Sequence, residues 1–234
     1  MLQQTQVSRV LPRYGAWLER FPTVDALAAA PLPAVLEAWQ GLGYNRRAVA
    51  LKRAAEEISA RYGGRVPDDE AALKALPGIG PATAAGIMVF AYGRPARYLE
   101  TNVRAALIEE FFGERDDVHD RELLPVLDAV LPDPSVADAR TWYYALMDWG
   151  AHLKSTGPNP SRRSRHHASQ SRFEGSWRQK RARLLRAVME TPGMTPAELA
   201  EQAGTDAVTA ESLAEELARE GFFELRDGRV FVAG

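Results

Sequence analysis

Residues 76–84 read Leu-Pro-Gly-Ile-Gly-Pro-Ala-Thr-Ala, and no other stretch constrains the fold as much. A helix ends at Leu76, a tight turn carries Gly78 and Gly80, and a second helix starts near Pro81. Glycine lets a backbone approach a ligand with no Cβ in the way. The amides of such a turn, together with the N-terminus of the second helix, favour an anion. The arrangement suits gripping a phosphate backbone and carries no sequence information. Its bland alternative is an ordinary Gly-rich connection between helices. Gly78, Gly80 and Thr83 are the candidate contacts, and the turn could also take a monovalent cation.

The residues around the turn are patterned for helices. Val7, Val10, Leu11, Tyr14, Leu18 and Phe21 recur at helical spacing up to Pro22. Thr23 or Asp25 can cap a short helix after it. Further helices are predicted over 32–40, 46–62, 68–75, 82–92, 102–112, 119–131 and 137–153, with no alternating strand pattern among them. After a stretch broken by Pro158, Asn159 and Pro160, helices are predicted from Trp177 to Glu190, from Thr195 with its cap-Pro-x-acid start, and over 209–220. Phe222–Leu225 and Arg229–Val232 then flank Asp227-Gly228, a hairpin signal. Residues 175–234 therefore read as a winged-helix-like module.

The net charge of −2 hides an uneven distribution. Residues 1–153 carry 16 basic and 20 acidic side chains, 154–186 carry ten basic against one acid, and 187–234 carry three basic against ten acidic. A basic block of that kind is the footprint of a phosphate-backbone binder or of a solvated linker. Arg162, Arg163 and Arg165 are its candidate DNA contacts. With no cysteine, disulfides, thiolate zinc sites and thiolate-held iron–sulfur clusters are excluded. Adjacent His166 and His167 make a poor metal site, so no metal and no organic cofactor is expected. No apolar run approaches the roughly 20 residues needed to span a bilayer, and the start lacks the pattern of a signal peptide. A soluble, cytoplasmic, nucleoid-associated monomer is expected.

Two further clusters carry polar chemistry. Met1-Leu2-Gln3-Gln4-Thr5-Gln6-Val7 gathers amides at the start of a helix. Amides can bond base edges, and long side chains can fill the gap left by an extruded base. Tyr98-Leu99-Glu100-Thr101-Asn102 puts an acid and an amide at a helix mouth. Glu100 can cap that helix, or it can stabilise positive charge on a sugar whose bond to a base is breaking.

These blocks, with Gly41-Leu42-Gly43-Tyr44 and Ala145-Leu146-Met147-Asp148-Trp149-Gly150, resemble the MutY-type adenine glycosylases of the helix-hairpin-helix (HhH-GPD) superfamily over residues 1–153. The resemblance implies an all-α HhH-GPD glycosylase fold for 1–153, followed by a basic loop at 154–174 where the family keeps its iron–sulfur region, and then the winged-helix-like module at 175–234. It implies base-excision repair of double-stranded DNA, with adenine removed opposite guanine or 8-oxoguanine. Gln3 and Gln4 match residues that probe the stack, Tyr44 a wedging aromatic, Gly78 and Gly80 the phosphate-binding turn, Glu100 the catalytic carboxylate and Asn102 an assisting amide.

Four departures accompany the resemblance. The family's general-acid Glu lies just upstream of the Met-Leu-Gln-Gln block, ahead of Met1, together with a helix. The matched catalytic Asp is Glu100. The iron–sulfur cysteines are missing. The C-terminal domain that reads oxidised guanine is replaced by the winged-helix-like module, whose third helix carries Glu211, Glu215, Glu216 and Glu220 and so suits packing better than a DNA groove. Tyr144 stands where the adenine enzymes usually carry an amide, which makes it the candidate specificity residue. The lyases related to endonuclease III keep a Lys at the position of Ala82, which favours a monofunctional enzyme. The alternatives are a catalytically weak damage-binding protein and an endonuclease III-like enzyme of other base specificity, with Lys74 as a weak substitute nucleophile.

Overall fold

The computed structural model describes residues 1–131, 138–167 and 172–234. Among them run α1 (Val7–Arg20), α2 (Val24–Ala29), α3 (Leu32–Trp39), α4 (Arg46–Tyr62), α5 (Glu70–Lys74), α6 (Pro81–Phe90), α7 (Thr101–Phe112), α8 (Asp120–Val130), α9 (Ala139–Thr156), α10 (Trp177–Glu190), α11 (Pro196–Ala203), α12 (Ala207–Arg219), β1 (Phe223–Arg226) and β2 (Arg229–Val232). No described helix is long and apolar enough to cross a membrane. The chain divides into two compact units, Met1–Arg65 with Gln170–Gly234, and Val66–Ser169. This grouping departs from a division into 1–153, 154–174 and 175–234. The boundary lies between Arg65 and Val66, and α9 continues to Thr156. Composition marks only local change along a chain, whereas a core recruits segments from both of its ends.

In the first unit one apolar core joins α1–α4 to α10–β2. Trp17, Phe21, Trp39 and Leu42 belong to the same buried cluster as Leu184, Val188, Leu199, Leu213 and Phe222. Trp17 meets Phe21 and Trp39 edge to face at 4.8 and 5.6 Å, contacts worth about 0.5–1.5 kcal/mol each beyond their burial. The apolar set of α1 is split: Val10 and Trp17 are buried, while Val7, Leu11, Tyr14 and Leu18 are exposed. Ion pairs reinforce the core. Arg181 of α10 binds Glu216 of α12 and Glu220 at its C-cap, and Arg46 of α4 binds Glu220, its Nε at 2.7 Å. Trp177 Nε1 donates to Glu216 at 2.9 Å. Glu216 and Glu220 are thus engaged in packing.

Local chemistry fixes the ends of these elements. Thr195 and Glu198 form a reciprocal capping box with Pro196 at the first helical position of α11. β1 and β2 pair antiparallel from Phe223↔Val232 to Arg226↔Arg229. Asp227 and Gly228 between them both adopt positive φ, 49° and 70°, as a two-residue type I′ turn requires. Met194 adds a short third edge through Val230.

The second unit has its own core of Val89, Leu99, Val103, Leu107, Ile108, Val118, Leu123, Leu127 and Tyr143. Here α7 crosses α9 at Gly150, where an added Cβ would lie 2.0 Å from the Asn102 carbonyl oxygen. No side chain fits there without moving the start of α7. Arg104 of α7 binds Asp120 of α8 through both carboxylate oxygens at 2.8 and 2.7 Å. A turn of 3-10 helix at Pro160–Arg163 leads into a parallel bridge between Ser164 and Val118.

Candidate nucleic-acid interface and active site

The hairpin forms as its residues dictate. Asp69 caps α5 by accepting from the Ala72 amide at 2.8 Å, and buried Leu76 anchors the turn. The Ile79 amide closes back on the Leu76 carbonyl at 3.2 Å. Gly78 takes φ +72°, a left-handed conformation that suits glycine. Gly80 is the N-cap of α6, contributes no side-chain cap, and is followed by Pro81. Gly78, Gly80, Pro81 and Ala82 are exposed, and a Cβ on Gly80 would meet no atom within 4 Å. The start of a ten-residue helix therefore faces outward through small residues, an arrangement that can take an anion. Thr83 lies in that first turn and is partly buried. Lys74 pairs with Glu70 at 3.2 Å.

In the same unit the chain from α6 to α7 is pinned from above. The Tyr143 hydroxyl donates to the Ala96 carbonyl at 2.6 Å and accepts from the Tyr98 amide at 3.0 Å. The path leads to Glu100, the N-cap of α7. Its Oε1 accepts from the Asn102 and Val103 amides at 2.7 and 3.0 Å. Both bonds fall on one oxygen, so the carboxylate is held at the positive end of the helix. Burial, then the Glu100 charge and Tyr143, push the Tyr98 hydroxyl up to about 12. Asn102 Oδ1 is buried and accepts no hydrogen bond from the described residues, which leaves an amide oxygen ready to accept from a donor. Tyr98 packs edge to face on Phe90 at 5.2 Å, and half-exposed Tyr144 lies tilted against Phe90 at 5.1 Å. Tyr143 and Gly150 position this region; Tyr143 belongs to no motif legible in the sequence, and Gly150, though it ends the Ala145–Gly150 block, shows its packing role only through its approach to Asn102.

The arginines after α9 are used unequally. Arg163 binds the Gly113 carbonyl and the Glu109 carboxylate, and its side chain is only 15% exposed. Arg162 and Arg165 are exposed, and Arg165 stands 3.4 Å from Asp117. His166 packs edge to face on His119, and among the described residues no group of three or more His, Asp or Glu is placed to hold a metal. A region without thiolates does not fit the iron–sulfur cluster that the family resemblance implies.

In the first unit, Gln3, Gln4 and Tyr44 gather around Arg47. The Arg47 guanidinium donates to the carbonyls of Met1 (2.9 Å), Gln3 and Gly43 (3.3 Å) and to the Thr5 hydroxyl (2.6 Å). Thr5 in turn donates to the Leu42 carbonyl at 3.0 Å. Gln3, Gln4 and Tyr44 are exposed at the rim of this knot. Arg47 is a further residue that motif reading passes over, because its acceptors lie 42 to 46 residues away along most of these bonds.

A profile described as HhH-GPD superfamily base excision DNA repair protein matches residues 1–141. The chain belongs to that superfamily. Over 151 residues it is 43% identical to the adenine DNA glycosylase of Mycolicibacterium smegmatis, covering 64% of this chain and 51% of that protein. Over 207 residues it is 35% identical to the adenine DNA glycosylase of Mycobacterium tuberculosis, covering 79% of this chain and 66% of that one. The chain thus spans between half and two thirds of the length of these relatives. Among solved structures it resembles a thermostable thymine-DNA glycosylase, with a TM-score of 0.58 and 26% identity over 68% of this chain and 73% of that one. For an HhH-GPD protein, the hairpin at 76–84 and the Glu100 helix mouth both fall inside the matched span.

Proposed function

We propose that this chain is a monofunctional DNA glycosylase of base-excision repair, acting as a monomer on double-stranded DNA and hydrolysing the N-glycosidic bond of adenine mispaired with guanine or 8-oxoguanine. The adenine glycosylase relatives support the reaction and the base. The observation that carries the mechanism is the fixed carboxylate at the mouth of α7. The base leaves with the bonding electron pair and takes a proton from solvent, the sugar becomes cationic, and a water adds to it and returns a proton to solvent. A carboxylate locked by two backbone amides, needing no reorganisation, stabilises that cation. Asn102, two residues further on, assists. Gly78, Gly80 and Thr83 take a phosphate, Arg162 and Arg165 add charge near the backbone, and Tyr144 flanks the extruded base. Ala82 offers no amine for a Schiff base, and Lys74 is held by Glu70, which favours hydrolysis over lyase chemistry.

Glu100→Gln tests this reading, because the amide oxygen can still accept both backbone bonds while the charge is gone. Single-turnover excision from a duplex with adenine opposite 8-oxoguanine, developed with alkali, is expected to fall about 100–1,000-fold with little change in melting temperature. Equal rates would reduce Glu100 to a helix cap. Strand breaks without alkali would support the lyase reading, and faster release from a thymine·guanine duplex would support the thymine specificity named for the structural neighbour.

A further inference from the structure

We propose that Arg47 is a positioning residue that sets the Gln3-Gln4 pair and Tyr44 as one rigid two-pronged probe. The inference rests on reading Gln4 and Tyr44 as residues that enter the duplex, and adds what holds them there. Both adopt the left-handed backbone conformation that non-glycine residues avoid, with φ of 53° and 50°. Each directly follows a carbonyl that Arg47 holds: Gln3 before Gln4, and Gly43 before Tyr44. Fixing a carbonyl fixes its peptide plane, and the rotation of that plane about the next N–Cα bond is the φ of the next residue. One guanidinium therefore dictates both unusual conformations.

Other contacts tighten the arrangement. The Arg47 cation lies 5.5 Å from the Tyr44 ring centroid and 5.3 Å from that of Trp39. Trp39 Nε1 shares the Gly43 carbonyl at 3.0 Å. The fork of Arg47 is committed to protein acceptors on both segments, so the residue acts on DNA through its neighbours. A lysine cannot replace it, because a single ammonium lacks the planar fork that reaches two segments at once.

The test compares wild type, Arg47→Lys and Arg47→Met in the whole chain, and repeats both in a Gln4→Ala/Tyr44→Ala background. The readouts are affinity for a duplex with adenine opposite 8-oxoguanine against a fully matched duplex, and the fluorescence of 2-aminopurine beside the mispair, which brightens as the stack opens. Both Arg47 variants are expected to lose about 10–100-fold of the preference for the mispaired duplex and most of the fluorescence gain, with matched-duplex affinity unchanged. In the double-alanine background the Arg47 substitutions are expected to have no further effect. A merely structural role would weaken both duplexes alike and persist in that background, and either result overturns the inference. So does wild-type preference in Arg47→Lys, the variant that keeps the charge should Arg47→Met fail to fold. A wild-type chain without any preference overturns the probe reading, and the inference with it.

Discussion

The turn at 76–81 offers an anion its backbone, whereas the turn at 160–165 offers it side chains, and the fold treats the two offers differently. At Gly80 an added Cβ would meet no atom of the described residues within 4 Å. The start of α6 faces outward, with no side chain on its N-cap. Around 160–165 three arginines stand within four positions, yet Arg163 is committed to Glu109 and Gly113, and Arg165 faces Asp117. The same happens in α10, where Arg181 answers Glu216 and Glu220. Backbone donors at a turn are fixed by its dihedral angles and cannot be recruited elsewhere. Long charged side chains go to whichever partner the fold brings within reach, so a count of charges overstates the field available to DNA.

The largest expected effect breaks the hairpin side of this comparison without damaging the fold. Gly80 has φ −85° and open space where a Cβ would go, so Gly80→Asp is sterically free. An aspartate N-cap is as good as or better than glycine for the helix. It also places a negative charge where a phosphate would sit. The melting temperature is expected to hold or rise while affinity for any duplex falls at least about tenfold, roughly 1.4 kcal/mol. Unchanged affinity by titration at fixed salt would remove the hairpin from the interface.

The next effect separates the arginines. Arg162→Gln should lower duplex affinity and reduce the slope of log affinity against log salt by about one, with stability unchanged. Arg163→Gln should do the reverse, costing about 1–2 kcal/mol of stability through the unpaired Gly113 carbonyl and Glu109 and leaving the salt slope alone. Identical salt slopes in the two variants would show that the internal ion pair does not decide which arginine reaches DNA.

What was legible in the sequence follows the same division. Features that close within a few residues were readable as written: the capping box of Thr195 and Glu198, the Asp227-Gly228 turn, the hairpin at 76–84 and most helix boundaries. Glu100 was readable both as a cap and as a candidate charge, and its geometry realises the cap while leaving a carboxylate at the helix mouth. Features that depend on distant partners were not readable. Nothing local distinguishes Arg47 from Arg46, yet one organises the N-terminal segment and the other pairs with Glu220. Gly150 gains its meaning only from the Asn102 backbone across the α7–α9 crossing. Along α1 and its C-cap, Val7, Val10, Leu11, Tyr14, Leu18 and Phe21 share a helical period, but periodicity cannot say which subset meets the core, and the fold buries Val10 and Phe21.

The smallest expected effect concerns the acids at the C-terminal end. Burial would raise the pKa of Glu220, but hydrogen bonds from Arg46 and Arg181 and their charges outweigh it and hold the carboxyl below its ordinary value of 4.5. A carboxylate depressed on folding contributes stability that is fully present above the unfolded value and disappears as pH falls through the folded one. Glu220→Gln lacks that contribution at every pH. The variant should melt about 2–4 °C below wild type at pH 7, for a pair worth about 1 kcal/mol. The gap should then narrow as the pH is taken from 4.5 downward, because wild type loses there what the variant never had. If Glu220 at the end of α12 instead waits for a partner, Glu220→Gln would melt with wild type at pH 7, and the two curves would stay together through the acid range. That outcome would leave Arg46 and Arg181 uncommitted and put the charge of α10 back on the surface available to DNA.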